Sequence, residues 1–466
     1  MSKFEVRRRP RARWLALAVA ALVLVAATGC GSSSSSSSSS GPASSGGTVD
    51  KTPVTITLWH MFAGEESQPF NDALAGFKAK YPWITIKQEV QPNPDTDTFD
   101  PNLINAINGG NSPDVAMPFG PDYVGQYCSS GLWEDLTPFM QSSGVSISDF
   151  APAAVTYTNY GGKQCALPSL TDAYGLYYNK AMFHAAGIAS PPKTMDELMT
   201  DAKKLTVKNS DGSIKVAGFV PLGDFGQLGA ADLSRAWGAK WFNSDNKAQL
   251  ATDPGWTDAF NWQKQLIDFY GYDNLAKFAS GYSASEFNPS NMFEHNKIAM
   301  IFDGEWRTAF IGRDVPKFGY DTVPFPAADS SIYGSGRVGG TVVGIPKGAP
   351  HPQQAWLLVN YLSSDTNYLV TMANALGNVP TTAASANSPD LKQPRQFTTF
   401  EKVWANPASS FSPPLQPGGG GYVNLVTAFE SKWESGSIPE SGLHAALVQL
   451  DNNIDNQLAQ GASSTP

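Results

Sequence analysis

Residues 54–66 read VTITLWHMFAGEE, and the first five alternate apolar and polar side chains in strict order. That period of two belongs to a strand with one face buried. Beyond it, Phe70, Leu74 and Phe77 recur on one helical face until Tyr81-Pro82 stops the run. Ile84, Ile86 and Val90 predict a second strand, residues 103–108 a second helix, and residues 112–117 a short third strand. Strand, helix, strand, helix, strand predicts a parallel sheet with crossover helices. Ligands of such open sheets sit beyond the carboxyl ends of the strands, which here carry residues 60–66 and 119–123.

A second stretch, residues 293–310, reads FEHNKIAMIFDGEWRTAF. The apolar run 298–302 is short enough for a buried strand. It stops at Asp303-Gly304-Glu305-Trp306-Arg307, where carboxylates, a guanidinium and an indole surround a glycine. A turn with Gly304 can swing the backbone close to a bound molecule, because no Cβ stands in the way. Trp306 offers a flat apolar face with one donor; its neighbours offer acceptors and a planar donor fork. This mixture suits a neutral ligand rich in hydroxyls. A helix start with acidic residues in its first turn and a core Trp is the competing account.

The front of the chain speaks to location. Arg7, Arg8, Arg9, Arg11 and Arg13 precede an apolar run, residues 14–27, that is short for a bilayer span and fits an export signal. It ends in Ala27-Thr28-Gly29-Cys30, similar to a bacterial lipoprotein cleavage site, although Leu is usual where Ala27 stands. Residues 1–29 are therefore expected to be a lipoprotein signal peptide and Cys30 the lipidated first residue. The paired arginines suggest twin-arginine export, but the residues after them do not support it. Residues 30–52, with the serine tract 32–40, are expected to be a flexible tether.

The leader holds six of the 32 basic residues and one of the 41 acids, leaving 26 against 40, a net charge of −14. Such acidity argues against nucleic acid and against a polybasic membrane contact. Besides Cys30 there are two cysteines, Cys128 and Cys165. In an oxidising compartment an even pair reads as a disulfide, with two buried thiols as the alternative.

Several segments together resemble an extracellular solute-binding protein, the maltose-binding-protein type, of a carbohydrate ABC transporter. They are ITLWHMF, NSPDVAM, ALPSLTDAYGLYYNKAMFHAAGI, PPKTMDELMTDAKKLT, MFEHNKIAMIFDGEW and GGTVVGIPKGAPHPQQAWLLVNYL, in the family's order over nearly all of 54–382. The resemblance implies an α/β, two-lobed periplasmic-binding-protein fold (type II), each lobe a mostly parallel sheet flanked by helices, with three hinge crossings. Lobe one would hold 53–165 and 342–385, and lobe two 166–341 and 386–466. It implies a monomeric receptor without cofactor, tethered outside the cell membrane, that hands a captured saccharide to permease subunits. By position in the family's pattern, the ligand residues would be Asp172, Trp237, Trp241, Glu305, Trp306 and Arg307 from lobe two. Glu65, Glu66, Asp122 and Gly340 would come from lobe one or the crossings.

Local chemistry supports parts of this directly. Residues 173–178 form a dense apolar stretch suited to a doubly buried strand. Thr194 and Glu197 have capping-box spacing, and Leu443, Leu447, Leu450, Ile454 and Leu458 form a helical stripe. Residues 334–339 match GxGxxG, but an apolar strand follows where a helix is required. The five histidines show no zinc-ligand spacing. Asp95, Asp97 and Asp100 lack the Gly and terminal Glu of a calcium loop and read as a solvated turn. The rival function is an extracytoplasmic glycosidase pairing Glu65 or Glu66 with Glu305 across a cleft, or a receptor for a solute that is not a sugar.

Overall fold

The computed structural model describes residues 50–91, 99–223, 225–282 and 289–463. The expected signal peptide, Cys30, nearly all of the tether, and Asp95 and Asp97 lie outside them. The alternation at the start forms the strand Val54–His60, with Ile56, Leu58 and His60 turned inward. It is the centre of a parallel three-stranded sheet between Ile84–Val90 and Val115–Met117, with Val54 opposite Ile84 and Leu58 opposite Val115. The connecting helix is Ser67–Lys80, whose Phe70, Leu74 and Phe77 pack with Ile56, Leu58 and Ile84. The same core takes in Leu358, Val359, Leu362, Leu369 and Met372 from the helices Pro352–Ser364 and Thr366–Leu376. Sequence distance is thus bridged by burial, worth about 1.5–3 kcal/mol for each large apolar side chain.

The second sheet is organised around the ten-residue strand Leu170–Asn179. Met300–Gly304, Tyr320–Val323, Val338–Gly339 and Val379–Pro380 all pair with it, and all run antiparallel. The expectation of parallel pairing therefore describes the first sheet and not these contacts, because the chain leaves the long strand through a run of several helices and not through one crossover helix to an adjacent parallel strand. Just ahead of the long strand, Leu167–Pro168 pairs with Val342–Val343. Three chain segments, about 167–172, 338–343 and 379–380, are thus hydrogen-bonded side by side where the two sheets approach.

Local signals held where they rested on hydrogen bonds. Thr194 Oγ1 accepts from the Glu197 N–H at 3.2 Å, and Glu197 Oε2 accepts from the Thr194 N–H at 3.1 Å, starting the helix Met195–Leu205. The stripe on the last helix, Leu443–Ser463, is buried against Val426, Phe429 and Trp433 of Val423–Glu434. Asp100 corrects the expectation of a solvated turn: it is buried in the helix Phe99–Asn108 and accepts a hydrogen bond from Tyr127 Oη. Cys128 and Cys165, both buried, are joined as a disulfide with Cα atoms 5.6 Å apart.

Candidate functional site

A cavity of about 870 Å³ opens where the ends of the two sheets meet the three adjacent segments. That volume is in the upper part of the usual range for small-molecule sites, roughly 300–1,000 Å³. Each wall follows from the fold. Met61, Phe62, Ala63 and Glu66 come from the chain just past the strand Val54–His60, and Phe119 from just past Val115–Met117. Leu170 and Asp172 come from the start of the long strand, and Trp306 from just past Met300–Gly304. The helix Ala230–Ala236 points its N-terminus at the cavity, with Ala230, Ala231 and Asp232 in the wall. Val423, Val426, Thr427 and Glu430 line it from the helix Val423–Glu434.

Two buried polar groups set its electrostatics. In the first, Asn378 Nδ2 donates to Asp172 Oδ1 at 2.8 Å and to Glu305 Oε1 at 3.2 Å. Glu305 Oε2 accepts from the Ala173 N–H at 2.7 Å. Burial holds both carboxyls above the ordinary range, and the charge of Asp172 pushes Glu305 higher still. In the second, Arg337 pairs with Asp232 at 3.1 Å, donates to the Gln227 carbonyl at 3.0 Å, and lies 3.8 Å from the centre of the Tyr174 ring. The angle at Arg337 Nε is too poor for a hydrogen bond, so charge holds that pair. Burial pushes Asp232 up to about 6 against the pull of Arg337. Half-buried Glu66 is pushed up to about 7, by burial first and then by the nearby charge of Asp172.

Trp306 stands edge-on to Tyr174 at 5.5 Å, and its indole lies over Gly304, where a Cβ would strike the ring. Its indole N–H is buried and has no protein partner among the described residues. Trp241 is wedged edge-on against Trp256 at 4.7 Å and Tyr422 at 5.7 Å while one part of it faces the cavity.

Of the residues expected from sequence, Glu66, Asp172, Trp241 and Trp306 line this cavity. Glu305 stands directly behind Asp172, through Asn378. The others are placed elsewhere. Arg307 is sealed inside, its Nε donating to Asp303 at 2.7 Å and its Nη1 to Glu294 at 3.3 Å. Glu65 is exposed and pairs with Arg313 at 2.7 Å. Trp237 falls outside because the helix ends at Ala236, which breaks the spacing that would have aligned it with Trp241; it packs on Trp262 at 6.1 Å. Asp122 packs beside Gly420 and does not line the cavity itself, though its charge acts on Arg337 in the wall. Gly340 lies so near Leu170 and Thr171 that a Cβ would meet their backbone, which makes it a packing position in the adjacent strands.

Most of the lining was not expected from sequence, three polar or charged side chains included. Arg337 sits within the GxGxxG-like run, Asn378 just before Val379–Pro380, and Glu430 in mid-helix. Only Asn378, a polar residue beside an expected crossing, carried a usable signal.

Residues 63–368 match the family described as bacterial extracellular solute-binding protein. The maltotriose-binding protein of Pyrococcus abyssi is 22% identical over 340 residues, covering 72% of this chain and 68% of that one. The structure of CpMnBP1 with mannotriose bound shares the fold at a TM-score of 0.75 with 24% identity, over 86% of this chain and all of that one (100%). The maltose/maltodextrin-binding domain MalE from Bdellovibrio bacteriovorus bound to maltotriose superposes at 0.69 with 22% identity, over 87% of this chain and 100% of that one. The periplasmic-binding-protein fold, the cavity between its sheets and the match over residues 63–368 lead to one conclusion: the chain belongs to the bacterial extracellular solute-binding proteins, receptors and not enzymes.

Proposed function

We propose that this receptor captures a neutral mono- or oligosaccharide in the cavity and delivers it to the permease of an ABC transporter. The observation that carries this is the pairing, in one cavity, of aromatic faces with fixed polar atoms. Phe62, Phe119, Trp241, Trp306 and Phe310 stand beside Asp172, Asp232, Arg337 and Asn378. Aromatic faces cover the C–H side of a sugar ring, and buried polar groups bond its hydroxyls with strict orientation. The mannotriose and maltotriose carried by the similar proteins support the same class of ligand. Glu66, Asp172, Trp241 and Trp306 are the proposed contacts, with Glu305 and Asn378 positioning Asp172.

The three adjacent segments would be crossings between two lobes, so ligand would draw the lobes together by touching both. A smaller radius of gyration in solution scattering on adding ligand is the expected result; an unchanged one contradicts the lobe assignment. Cys30 would carry a lipid that tethers the domain to the outer face of the membrane, and mass spectrometry of the membrane-bound protein should find a lipidated N-terminal Cys30.

A thermal-shift panel over mono-, di- and trisaccharides, with amino acids, peptides and polyamines beside them, tests the proposal. A ligand at about 100 times its dissociation constant adds roughly 2.7 kcal/mol of stability. One saccharide class should raise the midpoint. A panel in which only non-sugar solutes do so would overturn the saccharide reading.

A further inference from the structure

A second cavity, of about 480 Å³, adjoins the first and shares Ala231 and Trp241 with it. We propose that it is a further saccharide subsite, holding the end of an oligosaccharide too long for the first cavity. This rests on the saccharide reading above and extends it from ligand class to ligand length.

The lining repeats the chemistry of the first cavity. Tyr160, Trp241, Phe242 and Phe411 supply aromatic faces, and Arg235 and Gln416 supply polar atoms. Its wall is held in place from several directions. Arg235 Nη1 donates to Ser410 Oγ at 3.0 Å and Nη2 to the Ala408 carbonyl at 2.7 Å, which ties the helix Ala230–Ala236 to the segment 408–416. Gln416 and Asn246 exchange side-chain amide hydrogen bonds at 2.9 and 3.2 Å. Arg235 Nε is buried without a partner among the described residues, so the guanidinium meets the cavity through its outer edge and not through this atom. Tyr160 reaches in from a short hairpin, Asn159–Tyr160 with Lys163–Gln164, far in sequence from the other walls. A ligand there would touch both early and late parts of the chain. Trp241, the shared wall, would contact the sugar units on either side of the junction.

Calorimetric titration of the full chain with malto- and manno-oligosaccharides, from disaccharide to pentasaccharide, tests this. Three variants accompany the parent: Tyr160→Ala and Phe411→Ala, which remove faces, and Leu415→Trp, which fills the space. The parent should gain about tenfold or more in affinity from the shortest to the longest binder of the preferred series, the scale of one stacking face. Each variant should lose most of that gain while keeping the parent's affinity for the disaccharide, and this retained binding itself reports a folded protein. If length brings no gain, or the variants weaken short and long ligands alike, the subsite is overturned while the saccharide reading stands. If no saccharide binds the parent at all, both fall.

Discussion

Arg307 donates its Nε to Asp303 at 2.7 Å with both side chains sealed from water. Glu294 stands on the other side of the guanidinium, 3.3 Å from Nη1. The guanidinium is thus the counter-charge of two buried carboxylates, and no edge of it lines the cavity. Replacing one partner of a buried ion group leaves uncompensated charge, typically at a cost of about 3–5 kcal/mol. Arg307→Met should therefore lower the denaturation midpoint strongly while the folded fraction binds ligand as the parent does, measured by chemical denaturation and calorimetry. Weakened binding at unchanged stability would place Arg307 at the ligand instead.

Glu66 gives the cavity a pH dependence with a defined sign. Its carboxyl is raised from 4.5 to about 7 in the folded protein, so the folded state holds a proton that the unfolded chain releases. The stability tied to that proton is fully present below about pH 4.5 and is lost as the pH rises through about 7. Ligand-free Glu66→Gln should gain thermal midpoint relative to the parent progressively across that window. The difference should be smallest near pH 4.5 and level off above about pH 8. A difference that is constant with pH would show that Glu66 titrates normally.

The disulfide closes a loop with a sequence separation of 37. By restricting the unfolded chain, such a link contributes roughly 3–4 kcal/mol. Mass spectrometry of the unreduced domain should find the peptides of Cys128 and Cys165 joined, and Cys165→Ser should lower the thermal midpoint. Two free thiols at these positions would end this account.

What the chain disclosed in advance follows the range of the interactions involved. The strand at residue 54, the helix carrying Phe70, Leu74 and Phe77, and the cap at Thr194 depend on neighbours a few residues away, and each stands as read. Trp306 was legible because it directly follows the turn that ends the strand Met300–Gly304, although Gly304 itself makes room for the indole and not for a bound molecule. Arg307 and Trp237 went astray through contacts that sequence spacing does not encode: an ion group reaching back to Glu294, and a helix that stops one residue before Trp237. Arg337 and Glu430 join the cavity only through tertiary packing, and nothing beside them in the chain distinguishes them from surface charges. The antiparallel partners of Leu170–Asn179 were hidden for the same reason, since they arrive from more than a hundred residues away.

The central claim is that a saccharide lies in the cavity against Trp306, and calorimetric titration of Trp306→Ala with the saccharide found by thermal shift addresses it most directly. Losing one stacking face should cost about 1–3 kcal/mol, by analogy with aromatic stacking on bases, which is about tenfold or more in affinity. The account predicts that loss in a variant whose circular dichroism matches the parent. A normally folded Trp306→Ala that binds the saccharide as tightly as the parent would contradict it.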